Sequence, residues 1–274
     1  MTVRIRLDIS YDGTGFNGWA GQKGQRTVQG TITNALTTIL RTPVALTVAG
    51  RTDSGVHATG QVAHVDIPEP LWHDFKTSLV RRLNGIMDQD VRVHAAQAVP
   101  ADFNARFSAL RRHYEYRIAD HVSLCDPLRR FDTLWWMRSL DIEAMNAASR
   151  HLLGEHDFAA FCRRREGATT IRALERLDWR RDESGMVYGH VSADAFCHSM
   201  VRSLVGALLP VGDGRRPVSW PAELLGVKTR AIEVTVAPAH GLALVGVDYP
   251  ADDELAARTE RTRNMRTLAT PEGM

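Results

Sequence analysis

Two halves of α+β structure, each an antiparallel sheet flanked by helices in the ferredoxin-like or RRM-like manner, follow from three features of the chain. The first hundred residues read strand, helix, strand, strand, helix, strand, which is the ferredoxin-like order. Strand and helix patterns begin again after the segment ADFNARFSA. The length of 274 residues, 44% hydrophobic and 24% charged, gives enough apolar surface for two packed units. The halves are expected at 1–107 and 108–250. Residues 251–274, with four arginines against five acids, are expected to be a disordered tail or a loose helix.

Taken in order, Val3, Ile5, Leu7 and Ile9 alternate with Arg4, Arg6, Asp8 and Ser10, the period of a strand buried on one face. A glycine-rich loop, YDGTGFNGWAGQKGQ, follows. Thr27 caps a helix that carries Val28, Ile32, Ala35, Leu36, Ile39 and Leu40 at helical spacing and ends before Pro43. PVALTVA and GQVAHVDI are strands, the second with Ala63, Val65 and Ile67 on one face. A helix is expected from Trp72 to Leu83, closed by Asn84-Gly85, and VRVHAAQAV supplies the next strand. In the second half RRHYEYRI is a strand with Tyr114, Tyr116 and Ile118 on one face, and an irregular loop runs through Asp126-Pro127. Asp141 to Leu153 is a helix stopped by Gly154, and ALERLDWRRDESGMVYGHVSADAF is a hairpin about Asp182 to Gly185. Met200, Val201, Leu204, Val205 and Leu208 form the inward stripe of a helix from His198 to Leu209, with Arg202 on the opposite face. A short helix follows Ser219-Trp220-Pro221, and AIEVTVAP and GLALVGVDY close the chain as strands.

No run of about 18 apolar residues exists to span a bilayer, and MTVRIRLDIS lacks the basic-then-apolar pattern of a secretory leader, so a cytoplasmic protein is expected. Cys125, Cys162 and Cys197 are odd in number and widely spaced, which predicts three reduced packing residues and neither a disulfide framework nor a zinc site. The formal net charge of +2 does not by itself announce a nucleic-acid binder. The kind of cation says more. Of the 34 basic residues only Lys23, Lys76 and Lys228 are lysines, and the arginines gather in doublets such as Arg111-Arg112 and in the triplet Arg163-Arg164-Arg165. A planar guanidinium pairs phosphate oxygens two at a time and stacks on bases, which suits an RNA partner; a coding bias toward arginine explains any single doublet equally well.

Gly13-Thr14-Gly15-Phe16-Asn17-Gly18 is a literal GxGxxG after a strand. A dinucleotide site needs a helix starting within that motif, whereas here the helix waits until Thr27, so the motif reads either as a flexible loop or as a loop whose Tyr11, Phe16 and Trp19, with Lys23 and Arg26, hold single-stranded nucleic acid. The segment AGRTDSGVHATGQVAHVDIP differs in kind. Gly50 and Gly55 bracket Arg51-Thr52-Asp53-Ser54 between two apolar runs. An Asp beside Arg51 is expected to stay ionised, which suits a nucleophile or base, though an Asp in a turn is more often a turn former. His57 and His64 have no serine or cysteine elbow and no HExxH spacing around them, so hydrolase and metalloenzyme classes gain no support.

Together these segments resemble one family, the bacterial tRNA pseudouridine synthases of the TruA type. The likeness runs through YDGTGFNGW, TVQGTITNAL, AGRTDSGVHATGQVAHVD, DFNARFSALRRHYEY, GEHDFAAFC, TTIRAL, ADAFCHSMVRSLVGALLPVG and APAHGLALVGVDY, from Val3 to Tyr249. It implies a pseudouridine synthase fold and an isomerase that detaches uracil, rotates it and rejoins it through C5 at positions 38, 39 and 40 of the anticodon arm. Asp53 would be the catalytic carboxylate, acting at C6, at C1′ or on the C2′ proton. Arg51 would fill the space left by the flipped nucleotide, Tyr114 or Tyr116 would pack on the extruded base, and Arg202 would pair with Asp53. Phe16, Gln22, His57, Arg106, Arg111 and Arg112 complete the expected RNA contacts. The resemblance implies a homodimer with the anticodon arm across a basic cleft. It implies no metal and no organic cofactor, since moving a glycosidic bond within one nucleotide requires neither redox chemistry nor an external group. Ala20 and Ile32-Thr33 depart from the family pattern, which commonly has Gln and Leu-Glu there, and put the contacts of that loop in question.

A non-catalytic RNA-binding protein of two ferredoxin-like halves is the rival reading. It accounts for aromatics and arginines on sheets and leaves the bracketed Arg-Thr-Asp turn without a purpose.

Overall fold

The computed structural model describes residues 1–163 and 169–263; Arg164 and Arg165 of the arginine triplet, and 264–274 of the expected tail, lie outside the described residues. The elements in chain order are β1 (Thr2–Tyr11), α1 (Val28–Leu40), β2 (Leu46–Val48), β3 (His57–Pro68), α2 (Glu69–Phe75), α3 (Leu79–Ile86), β4 (Val91–Val99), β5 (Arg111–Ala119), β6 (Leu134–Trp135), α4 (Ile142–Arg150), β7 (Gly154–Asp157), β8 (Ile171–Arg181), β9 (Val187–Ala193), α5 (Met200–Gly212), α6 (Trp220–Glu223), β10 (Leu242–Asp248) and α7 (Leu255–Arg263). Two compact units result. The first comprises Met1–Arg112 with Ala243–Arg263, and the second His113–Leu242.

In the first unit β1 lies between β3 and β4, antiparallel to both. Alternation on β1 buries Ile5, Leu7, Ile9 and Tyr11 as its pattern requires. The long β3 carries two partners along one edge: its later residues pair antiparallel with β2, and His57 and Ala58 pair parallel with Ala243 and Leu244 of β10. The order β4-β1-β3-β2 is that of a ferredoxin-like unit, as expected. Helix α1 is capped by the Thr27 hydroxyl, which accepts the Gly30 N–H at 3.2 Å, and it buries Val28, Ile32, Ala35, Leu36 and Leu40. The strand β1, the hairpin side of β3 and α1 thus hold the loop from Ala49 to Val56 on a rigid base.

In the second unit the strands are ordered β5-β9-β8-β7, with β6 parallel to β5. The hairpin of β8 and β9 is antiparallel about its turn at 182–185, and α4 packs on β8 with α5 behind it. Nearly every residue of α5 is buried, so this helix is an interior element and not an amphipathic one.

Several expectations are corrected. The helix from Trp72 to Leu83 is two helices broken at Lys76–Ser78, because α2 buries no residue while α3 must turn Leu79 and Leu83 fully inward. AIEVTVAP forms no strand. Ala231, Val234 and Ala237 are the buried positions, a period of three, and Ile232 is 95% exposed; the Ala237 N–H donates to the Arg202 carbonyl at 3.0 Å, so the segment is bonded to α5 and not to a sheet. Of the segment expected to be a disordered tail or a loose helix, Leu255–Arg263 is the helix α7, and it is docked. Leu255 enters a cluster with Ala49, Val62, Phe103 and Ala105, and the Thr259 and Ser108 hydroxyls meet at 2.9 Å. One apolar anchor in a polar stretch holds it, too weak a pattern to show as periodicity. Cys162 and Cys197 are joined as a disulfide, their Cα atoms 5.7 Å apart, and Cys125 alone is a free thiol. Two antiparallel reversals, β7 to β8 and β8 to β9, return the chain beside its start, which wide spacing in sequence conceals.

His64 on β3 is 5% exposed, and its Nδ1 accepts the Ala105 N–H at 3.0 Å. Burial, then the positive charge of Arg4, push its pKa down to about 4, against the smaller opposing pull of Asp66. The unfolded ring titrates near 6.5, so the unfolded chain binds more protons between those values and His64 favours folding fully above about pH 6.5. That contribution declines as pH falls toward 4. Denaturant midpoints between pH 7.5 and 4.5 should therefore fall with acidity, and the slope should flatten in His64→Gln; an unchanged slope in the variant would exclude His64 as the source.

Candidate active site

The turn between β2 and β3 is bracketed by Gly50 and Gly55, and its polar groups are matched by a frame beneath it. The Ala49 carbonyl accepts from the buried Arg112 guanidinium, Nη2 at 2.8 Å and Nε at 3.3 Å. The Gly50 carbonyl accepts from Gln61 Nε2 at 2.8 Å. Thr52, 6% exposed, shares a hydrogen bond of 2.8 Å with the Tyr11 hydroxyl, and its carbonyl accepts the Trp19 N–H at 3.0 Å. The Val56 N–H closes the turn on the Asp53 carbonyl at 3.2 Å, and the Ser54 hydroxyl donates to the Phe16 carbonyl at 3.1 Å. Asp53 is half-buried at the middle of this turn, and Arg51 beside it is exposed.

The glycine-rich loop gains its purpose from the same turn. Gly18 has φ +80°, and a Cβ there would stand 2.8 Å from the Thr52 carbonyl oxygen; a Cβ on Gly13 would overlap the Val56 carbonyl. These glycines let the loop backbone lie directly on the Asp53 turn. The loop's aromatics face inward: Tyr11, Phe16 and Trp19 are 4%, 2% and 1% exposed. Phe16 therefore offers no open face to a base. The Arg26 guanidinium lies 4.1 Å over its ring and is itself held by Asp90 and Asp88.

His57 and Arg112 also differ from the expected RNA contacts. His57 is 7% exposed and its Nδ1 accepts the Gly13 N–H at 3.0 Å, so it fixes the glycine loop, with an Asp12 carboxylate oxygen 3.1 Å from the same nitrogen. Arg112 is buried and directs its Nε and Nη2 to the Ala49 and Arg106 carbonyls. Gln22, Arg106 and Arg111 are exposed, Gln22 donating to the Asn17 carbonyl and Arg111 lying 3.9 Å from Asp248. Within the second unit, Tyr116 is fully buried and its hydroxyl donates to the Pro238 carbonyl at 2.8 Å, while Tyr114 meets Phe196 edge to face at 5.2 Å. Arg202 is half-buried, not solvated, and its Nε donates to the Ala237 carbonyl at 2.7 Å. Sequence reasoning overlooked Gln61 altogether. Its signal was a polar side chain inside the apolar run of β3, where an unpaired amide would be costly.

Among the described residues no three His, Cys, Asp or Glu side chains gather as a metal site, and no helix is long and apolar enough to cross a membrane. Fold and site together describe an α+β protein that carries one half-buried carboxylate on a braced turn. A family model described as tRNA pseudouridine synthase matches residues 148–250. A tRNA pseudouridine synthase A of Frankia casuarinae is 62% identical over 274 residues, covering 99% of this chain and 98% of that protein. Proteins of the same name from Streptomyces griseus and Mycobacterium leprae are 57% and 54% identical, each over 97% of this chain and 95% and 96% of their own length. The chain belongs to the tRNA pseudouridine synthase family. It is an isomerase that converts uridine to pseudouridine in tRNA.

Because Gly13 touches the turn and not the solvent, Gly13→Ala should displace the turn backbone. Steady-state kinetics are expected to show kcat lowered about 10-fold or more with a nearly unchanged KM for tRNA; wild-type kcat would show that the loop does not hold the turn.

Proposed function

We propose that Asp53 is the carboxylate that carries the isomerisation, that the target uridines are at positions 38, 39 and 40 of the anticodon arm, and that the enzyme works as a homodimer in the cytoplasm. The observation that carries the reading is the Arg51-Thr52-Asp53 turn itself. One acid stands half-buried on a turn whose backbone is committed to internal hydrogen bonds, next to an exposed guanidinium. A purely RNA-binding protein has no need of such a frame.

The chemistry balances within one nucleotide. The C1′–N1 bond breaks, C1′–C5 forms, the C5 proton leaves to solvent and N1 gains a proton, so substrate and product are isomers. Asp53 assists the detachment, as nucleophile or base. The target base must leave its stack, at a cost of about a few kcal/mol, and Arg51, exposed beside Asp53, is assigned to the vacated space. Of the two candidate aromatics, Tyr114 is the one assigned to the flipped base, on the strength of the family resemblance, while the fully buried Tyr116 supports the sheet through its bond to Pro238. Arg202 is assigned as the partner of Asp53, on the strength of the family resemblance. Gln22, Arg106 and Arg111 are exposed and suit phosphate contact.

Release of tritium from tRNA labelled at uridine C5 tests the central assignment. Wild type should release it, and Asp53→Asn should fall by at least about 1000-fold while still binding tRNA. Near-normal release by Asp53→Asn removes Asp53 from the chemistry. The grip by charge predicts a second outcome: tRNA affinity should fall steeply between low and high salt, and more shallowly in Arg106→Ala with Arg111→Ala. Salt-independent affinity would exclude phosphate contacts as its main source.

A further inference from the structure

We propose that Gln61 and Tyr11 form a buried hydrogen-bond relay that positions the Asp53 turn for catalysis, acting through Thr52 and Gly50 and not by touching the nucleotide. This rests on the assignment of Asp53 above.

Gln61 is fully buried on β3, and all its polar atoms are used. One amide hydrogen goes to the Gly50 carbonyl at 2.8 Å and the other to the Tyr11 oxygen at 3.2 Å; its Oε1 accepts the Val62 N–H at 3.2 Å. Tyr11, 4% exposed at the end of β1, passes the link on to the Thr52 hydroxyl at 2.8 Å. The relay therefore joins two rigid strands to two points of the turn, one before Arg51 and one between Arg51 and Asp53. Each member lies in a medium where a lost partner is not replaced by water, so the turn is held by bonds that are hard to exchange. Burial pushes the Tyr11 phenol up to about 12, which keeps it a neutral donor and acceptor across the working range. A glutamine and a tyrosine serve no packing need here that leucine and phenylalanine would not serve as well; their polar ends are what the turn uses.

The test compares kcat, tRNA Kd and melting temperature for Tyr11→Phe, Gln61→Leu, Thr52→Val and Thr52→Ser. Ser149→Ala serves as the control, since it removes a buried hydroxyl that accepts from Trp179 in the second unit. The relay predicts kcat lowered about 10- to 100-fold in the first three with Kd unchanged. It also predicts recovery in Thr52→Ser, which keeps the hydroxyl, and near-normal kcat in Ser149→Ala at a comparable loss of melting temperature. If Asp53→Asn is inactive while Tyr11→Phe and Gln61→Leu turn over at the wild-type rate, the relay is refuted and the assignment of Asp53 survives. If Ser149→Ala loses kcat in step with its stability as they do, the residues are structural only and the proposal fails. Activity in Asp53→Asn would instead overturn the underlying assignment.

Discussion

A turn that presents a carboxylate cannot leave its own backbone groups unpaired where it rests on apolar strands, and satisfying them is the constraint from which much of the first unit follows. The Ala49 and Gly50 carbonyls, the Thr52 hydroxyl and the Thr52 carbonyl each receive a partner from a different element: Arg112 on β5, Gln61 on β3, Tyr11 on β1 and Trp19 in the glycine loop. A buried polar group without a partner costs about 1–3 kcal/mol, as much as or up to about three times the net gain of about 1 kcal/mol from an average hydrogen bond. The turn is thus held less by what its bonds add than by what breaking one would cost. That asymmetry suits a site where a small displacement of the reacting group lowers the rate sharply.

The arginines divide along the same line. Arg112, Arg26 and Arg181 are pins to groups of the protein itself, Arg112 buried, Arg26 half-buried and Arg181 exposed. Arg181 grips the 4% exposed Asp120 with two bonds of 2.7 Å, while the Leu140 N–H adds a third at 2.8 Å. Burial works against that carboxylate, but the Arg181 bond and the Leu140 N–H outweigh it and hold its pKa below the ordinary value. A fork of donors at fixed geometry satisfies carbonyls and carboxylates inside a protein as well as phosphates outside it. A preference for arginine over lysine therefore says that bidentate pairing matters, and the bonds each fork makes within the protein tell which partner is meant. Arg51, Arg106 and Arg111 are the exposed members near the turn or at the start of β5.

Much of this was legible in the residues. The alternation of β1, the cap and spacing of α1 and the strand patterns of β3 and β4 are local signals, and each element forms where its pattern stands. The Arg51-Thr52-Asp53 turn was visible because glycines bracket it between two apolar runs. What stayed hidden depends on contacts between distant segments. Phe16 and Trp19 look like stacking residues in a polar loop and are core, because Gly13 and Gly18 fold that loop onto the turn. Arg112 sits in a doublet that suggests phosphate, yet its neighbour Arg111 is exposed and Arg112 is not, a strand alternation that charge alone obscures. The apolar alternation of AIEVTVAP gave way to a period of three on α5, and α7 is held by Leu255 and two side-chain bonds that no periodicity announces.

The most direct measurement is amide hydrogen exchange on the protein without tRNA. A turn built into the fold before substrate arrives should protect the Gly13, Trp19 and Val56 amides, which donate to His57, Thr52 and Asp53, about as well as amides in the middle of β3. Exchange of those three at the rate of an open loop, with protection appearing only when tRNA binds, would contradict the account.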